Sequence, residues 1–409
     1  MKQYVIIGGG VAAVGCIEGI RNVDKDAKIV LIANENRPVY CRPLISYYLQ
    51  GRTDFERMKY RNDEFYRENN CELIYDEAVK IDNNNKTVAL KSGKSIGYDA
   101  LCVATGSSPF VPPFAGLDTV QNKFNFMTED DTVALEKAIT NESKVLIVGA
   151  GLIGLKCAEG LCERVESITV CDLASRVLSS ILDDATASLM QDKLEQHGIK
   201  FMLSDSAEHF NGNTAYMKSG KTVEFDVLVL AVGVRPNISL VSDIGGDIDR
   251  GIIIDSKMKT SLENIYSAGD CTQGYDASTG ENRILAILPN AFMQGKCAGV
   301  NMAGGTETFD KAIPMNAIGF FGLHALTAGS YSGEMYEEKT KNSIKRLFIK
   351  DGFLVGFMMI GDTDRAGIYT SIIRERTPLD TLDVENLIKS PSLAAFSSEY
   401  RGKTLRGVV

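Results

Sequence analysis

One pattern occurs twice in this chain and constrains its fold more than any other feature. Tyr4-Val-Ile-Ile-Gly-Gly-Gly-Val-Ala-Ala-Val opens the sequence, and Val145-Leu-Ile-Val-Gly-Ala-Gly-Leu-Ile-Gly-Leu restates it about one domain later. In each copy an apolar β-type run enters a glycine turn, continues into a helical pattern and is followed by a second β-type run. Those second runs are Lys28–Ala33 and Ser167–Cys171. This is the βαβ unit of a doubly wound parallel sheet, whose turn lets backbone approach a pyrophosphate at a helix N-terminus. The expected fold class is therefore α/β, with two Rossmann-like dinucleotide-binding segments.

Each unit carries its own fingerprint. In the first, Gly8 permits the tight turn, Gly10 allows close approach of the backbone, and Ala13 takes the third glycine's place, as the G-x-G-x-x-G/A form allows. Glu35, just beyond the second β-type run, stands where a ribose-binding acid belongs. The second loop is complete with Gly149, Gly151 and Gly154, and its acid is Asp172. A carboxylate there bonds a free ribose 2′-hydroxyl and repels a 2′-phosphate, which favours NADH over NADPH. Arg176, four residues on, is a cation bearing on that preference. Two such units in one chain suit a flavin and a nicotinamide together.

The totals set bounds. With 409 residues, 44% hydrophobic and 24% charged, the chain has the length of two or three domains and the composition of a soluble globular protein. A net charge of −9 argues against nucleic acid as a partner. No signal-peptide pattern and no membrane-length apolar run is seen, and the nine cysteines are odd in number, scattered and without a CxxC pair. That usage points to reduced thiols in a cytoplasm and offers no zinc or iron–sulfur ligand framework.

Three further stretches complete an ordered set: YDALCVATGSSP (98–109), FDVLVLAVGVRPN (225–237) and ENIYSAGDC (263–271). With the two loops they resemble the pyridine nucleotide–disulfide oxidoreductase superfamily over roughly residues 1–375. The resemblance implies FAD in the first unit, NAD(P)H in an inserted second, and a third segment that dimerises or meets a partner. The expected segments are 1–112 and 237–310 for FAD, 113–236 for NAD(P)H, and 311–409 for the α+β C-terminal part. Carried over by residue, Asp270 bonds the ribityl chain. Thr105 and Gly106 line the FAD-side crossover, and Gly233 lines the NADH side. Arg42 meets the FAD pyrophosphate and Pro43 packs near the isoalloxazine. An N-cap role for Asp270 and a surface ion pair for Arg42 are the plain structural alternatives.

Within the superfamily, RPLISYYLQG (42–51), PMNAIGFFGLHALTAG (314–329) and GFLVGFMMIGDT (352–363) resemble the NADH:rubredoxin reductase and nitrite-reductase flavin-domain branch. That likeness implies hydride transfer from NADH to FAD, and electrons passed on to rubredoxin or a ferredoxin-like iron–sulfur protein. Three departures bear on it. No C-x₄-C pair lies near Cys41, which removes the dithiol chemistry. Cys41 itself falls two residues from the place of the single working thiol in oxidases, peroxidases and coenzyme A–disulfide reductases, where Pro43 stands. Lys156 replaces a glutamate near the nicotinamide, and Tyr47 replaces a lysine, so the two are expected to flank the flavin, with Lys156 as a cation for its reduced form. Two rivals stay open: an NADH oxidase, peroxidase or disulfide reductase using Cys41, and a flavin-bearing electron-input subunit of a larger redox complex. The basic run Lys339, Lys341, Lys345, Arg346 and Lys350 is either a docking face for an acidic carrier or a solvated sheet edge.

Overall fold

The computed structural model describes residues 2–405. Positions 1 and 406–409, which the segment assignments above include, lie outside the described residues.

Strands Gln3–Ile7, Lys28–Ala33, Cys71–Tyr75, Ala100–Val103 and Ile265–Ser267 form a five-stranded, wholly parallel sheet. Val5, Ile6, Leu31, Leu101 and Val103 are all buried, the continuous apolar run of strands covered on both faces. A second five-stranded parallel sheet repeats the plan with Lys144–Val148, Ser167–Asp172, Ile199–Leu203, Val227–Leu230 and Lys123–Phe124. In both, the glycine-loop strand is central, with its successor on one side and a later strand on the other. Strand order reverses there, and the crevice at such a point receives ligands in open α/β sheets. The doubled α/β expectation holds.

The chain leaves the first sheet along Ser107–Pro109 and returns along Val234–Pro236, paired as an antiparallel ribbon. The strand Ile265–Ser267 then rejoins the first sheet, so the second is inserted into the first. After it comes the long helix Leu288–Met302, which lies against Val11–Val23, the helix of the first glycine loop. Their backbones touch. A Cβ at Gly15 would stand 2.2 Å from the Phe292 carbonyl oxygen, and at Gly19 2.1 Å from that of Lys296. Reciprocally, one at Gly295 would stand 2.0 Å from the Ala12 carbonyl oxygen, and at Gly299 2.1 Å from that of Cys16. Each helix thus presents two glycines four apart to the other, and no larger residue fits at the crossing.

The C-terminal part is a five-stranded antiparallel sheet: Met315–Phe320, Leu323–Gly329, Phe353–Ile360, Ile344–Lys350 and Glu334–Lys339 in spatial order. The helix Ala366–Arg374 covers one face. Asp351 and Gly352 make the expected hairpin turn, both at positive φ (51° and 77°), as a type I′ turn requires. The polar stretch from Asp380, which shows no periodicity in sequence, forms short helices at Val384–Lys389 and Ser398–Leu405. Leu387, Ala395 and Phe396 anchor it to the C-terminal core.

The basic run does not form one basic face. Lys345 pairs with Glu338 and donates to the Ile388 carbonyl, and Arg346 is buried between Asp183 and Glu337. Glu334, Glu337 and Glu338 lie on the adjoining strand. Among the described residues no helix is long and apolar enough to cross a membrane.

Candidate functional site

The two glycine turns are superimposable in kind. Gly8 has φ +121° and a Cβ there would lie 2.0 Å from the Ala104 carbonyl oxygen; Gly149 has φ +118° and a Cβ would lie 2.2 Å from that of Ala231. Each glycine is thus pressed against the residue just past the end of the neighbouring strand, where the chain heads into the crossover. The next loop glycines, Gly10 and Gly151, are the N-caps of the two loop helices, Val11–Val23 and Leu152–Leu161. At both, the space a Cβ would fill holds no protein atom within 4 Å, and the same is true at Gly106 and Gly233. Open space beside uncapped helix N-termini, bounded by backbone, is the cradle a pyrophosphate needs. Ala13 is buried, its N–H bonded to the Gly10 carbonyl. In the second loop a Cβ at Gly154 would strike the Gly149 carbonyl oxygen at 2.0 Å, so that position needs its glycine. The residues present fit two dinucleotides.

The acids behave differently. Asp172, at the end of its strand, accepts from the backbone N–H of Ala150 at 2.7 Å and of Ala174 at 2.8 Å, tying the glycine loop to the strand end. Arg176 is turned away, its guanidinium bonded to the carbonyls of Leu182 and Ser179 and to Asp184. It is not free to greet a 2′-phosphate. Asp172→Ala is accordingly expected to raise the KM for NADH about tenfold, since a charged hydrogen-bonding group is lost, without a gain in use of NADPH. Steady-state kinetics with both nucleotides checks this. A rise in NADPH turnover would show that Arg176 is free after all.

In the first unit the assigned acid and cation meet each other. Arg42 pairs with Glu35, which also accepts from the Tyr40 hydroxyl at 2.8 Å. Arg42 thus forms an ion pair, its own side chain half-buried and that of Glu35 more deeply so. Arg42 and Pro43 belong to a short 3₁₀ turn, Arg42–Leu44, that leads into the helix Ile45–Leu49; Pro43 is exposed. Asp270 caps no helix, because a strand, Thr272–Asp276, follows it. Burial pushes its carboxyl above the usual carboxylate range, partly offset by the charge of Arg42 and by a 3.5 Å bond from the Ser107 hydroxyl. A half-buried carboxylate with so few donors has capacity left to accept from a ligand hydroxyl. Thr105 and Gly106 sit at the crossover: the Thr105 hydroxyl donates to the Asn237 carbonyl at 2.7 Å, and the Gly106 carbonyl accepts from the Asn237 N–H at 2.9 Å.

Cys41 precedes that 3₁₀ turn and is half-buried, its N–H bonded to the Met58 carbonyl. Burial pushes its thiol up, and the N–H of Leu44 offsets that only in part. A working thiolate needs the opposite shift. A C-x₄-C spacing does exist, at Cys157 and Cys162, but both lie on the second loop helix or its cap, about 140° apart around it.

Lys156 and Tyr47 do meet: the ammonium lies 5.6 Å from the Tyr47 ring centroid and 4.5 Å from that of Phe320. The Lys156 ammonium has partners within the protein. Lys156 Nζ donates to Glu159 Oε2 at 2.7 Å and to the Gly319 carbonyl at 2.6 Å, so its charge is balanced within the protein. Glu159, buried, also accepts from the Phe321 N–H at 3.0 Å. Sequence reading passed over Glu159, although its signal was present as an acid three residues beyond Lys156 on one helix. Phe321 and Gly322 form the turn between Met315–Phe320 and Leu323–Gly329, with φ 49° and 84°. A phenylalanine in the left-handed region costs roughly 1–2 kcal/mol. Its ring stacks on His197, centroids 3.8 Å apart.

A family model described as pyridine nucleotide-disulphide oxidoreductase matches residues 2–295. The chain is 31% identical to the epsilon subunit of NADH-dependent phenylglyoxylate dehydrogenase of Aromatoleum evansii, over 93% of each chain. It is 25% identical to NADH-rubredoxin oxidoreductase of Clostridium acetobutylicum, over 90% of each. It spans about half the length of two other relatives, one of them a nitrite reductase of Bacillus subtilis. Among solved structures, one described as a covalent putidaredoxin reductase–putidaredoxin complex superimposes with a TM-score of 0.87 at 20% identity, covering 95% of this chain and 99% of that one.

Proposed function

This chain belongs to the pyridine nucleotide-disulphide oxidoreductase family, as an FAD-dependent NAD(P)H oxidoreductase, and on that premise we propose that it passes electrons from NADH to a small iron protein of the rubredoxin or ferredoxin-like kind. The observation that carries the reading is the doubled glycine cradle, one per parallel sheet, with no activated thiol beside it. With no thiol activated to relay them, electrons on a flavin reduced by NADH pass directly to the acceptor, which in this reading is the iron protein.

In this reading residues 1–112 and 237–310 hold FAD, 113–236 hold NADH, and 311–409 meet the carrier or a second copy of the chain. The chemistry supplied by bound FAD is acceptance of a hydride and release of its electrons one at a time. Everything else falls to the protein. Gly8, Gly10 and Ala13 admit the FAD pyrophosphate, Glu35 and Arg42 part to take its ribose and phosphates, and Asp270 accepts from its ribityl hydroxyls. Gly149, Gly151 and Gly154 do the same for NADH, with Asp172 on the ribose. Thr105, Gly106 and Gly233 line the crossover between them. Pro43, Tyr47 and Lys156 flank the ring system, the last as a positioned and compensated charge. All nine cysteines are free, which supports a reducing cytoplasm.

The relation to a dehydrogenase subunit favours a second reading, in which the chain serves as the electron-input subunit of a larger complex. One experiment separates the possibilities: anaerobic titration with NADH, followed by addition of oxidised rubredoxin or ferredoxin, on wild type and Cys41→Ser. One equivalent of NADH per flavin, no thiolate-to-oxidised-flavin charge-transfer band, carrier reduction, and activity within about twofold in the variant are expected. Extra reducing equivalents with loss in Cys41→Ser would hand the function to a thiol. Flavin reduction without any carrier reduction would favour the subunit reading.

A further inference from the structure

Three parts of the fold, far apart in sequence, meet at one ammonium group. Lys156 lies on the second loop helix, Tyr47 on the helix Ile45–Leu49, and Gly319 to Phe321 at the tip of a C-terminal hairpin. Lys156 donates to the Gly319 carbonyl and Glu159 accepts from the Phe321 N–H, so the two side chains grip the backbone on either side of the buried ring of Phe320. The remaining oxygen of Glu159 holds Lys156 in place at 2.7 Å. Phe321 is kept in a left-handed turn conformation that bulky residues seldom adopt, its ring against His197. A turn strained in itself and held by partners on other elements is a turn whose position matters. Next along the loop helix, Gly160 abuts the Tyr47 helix: a Cβ there would stand 2.9 Å from the Cβ of Leu49.

We propose that Glu159 is a positioning residue, which through Lys156 locks the second loop helix to both the Tyr47 helix and the C-terminal hairpin and so fixes the direction in which the second cradle faces the first. The inference rests on the reading that the second loop receives NADH. Because the lock sits one to two turns below Gly151, a small rotation there swings the mouth of the cradle, and hydride transfer is sensitive to displacements of about 1 Å. The loop and Asp172 are tied together by the bond from the Ala150 N–H, so they turn as a unit, which changes where a bound nucleotide points rather than how tightly it is held.

The test is a double-mutant cycle with Lys156→Met and Glu159→Gln on the FAD-loaded chain, read by stopped-flow reduction with NADH and by backbone hydrogen exchange of the peptide 313–325 with and without cofactor. Glu159→Gln is expected to lower the limiting reduction rate about tenfold or more, keep the Kd for NADH within about twofold, and speed exchange at the hairpin tip. Added to Lys156→Met, it is expected to change the rate less than about twofold, because the glutamine oxygen can still accept from the Phe321 N–H and the bond it gives up is the one to Lys156. An unchanged limiting rate or unchanged tip exchange in Glu159→Gln, or a further loss in the Lys156→Met background, overturns the proposal. Should Glu159→Gln fail to fold, Glu159→Asp, which keeps the charge and shortens its reach to Lys156 and the Phe321 N–H, is read in its place, with the same loss of limiting rate and faster tip exchange expected. A wild-type flavin that NADH does not reduce would instead overturn the underlying reading.

Discussion

Alanine at position 149 is expected to abolish reduction of the flavin by NADH while leaving the flavin bound. The residue sits at φ +118°, and the added methyl group would lie 2.2 Å from the Ala231 carbonyl oxygen, a backbone atom that cannot step aside. The dihedral alone costs about 1–3 kcal/mol, and relieving the contact moves the turn that introduces the helix at Gly151. At least about a hundredfold loss in kcat/KM for NADH follows if some 2.7 kcal/mol of transition-state binding is lost. The first sheet shares no strand with the second, so the flavin spectrum should be intact and dithionite should still bleach it. Gly8→Ala, under the same clash in the other sheet, is expected to give the mirror result, a chain that purifies without flavin. Ordinary NADH kinetics in Gly149→Ala would mean that the nucleotide binds elsewhere.

The second large effect belongs to Asp270. Its folded-state carboxyl is raised by burial, so the charged form burdens the cofactor-free fold. The sign follows from linkage: stability is highest where the carboxyl is protonated in both states and declines as pH climbs from the ordinary carboxylate value through the raised one, then levels off. Asp270→Asn removes that decline. The cofactor-free variant should therefore match or exceed wild-type stability at neutral pH, while its FAD affinity falls about 10–100-fold through loss of a charged acceptor. Urea unfolding of the apo chain from about pH 4 to pH 8, with flavin retention on ultrafiltration, checks both halves. A variant that is less stable yet binds FAD normally would make Asp270 a scaffold residue.

What the sequence disclosed, and what it withheld, divides by the range of the interaction. The two parallel sheets were legible because each glycine loop is local: strand, turn and helix N-terminus lie within a dozen or so residues. The Asp351–Gly352 hairpin was legible for the same reason. Glu35 and Arg42 were placed in the right neighbourhood, yet nothing local says that they pair with each other. Lys156 drew notice only by departing from a family pattern, and its partners were hidden, since Gly319 lies 163 residues away. The turn at Phe321 carries no asparagine or aspartate to announce it; its left-handed backbone is paid for by contacts with Glu159 and His197. The segment after Asp380 hides its anchors as isolated apolar residues, such as Leu387 and Phe396, with no period to reveal them.

The interlocked glycines of Val11–Val23 and Leu288–Met302 impose an order of manufacture. The helix that presents the first cradle finds its closest neighbour only when the ribosome has produced the chain to about residue 300, and the strand Ile265–Ser267 of the same sheet emerges little earlier. The second sheet uses nothing beyond Leu230 and is complete well before. During synthesis the inserted sheet therefore closes first, strung between the two ends of an unfinished first sheet, and on the proposed reading FAD is captured only as a late event. A chain truncated near residue 250 and released from the ribosome should protect the inserted sheet from protease and leave the N-terminal segment open to it.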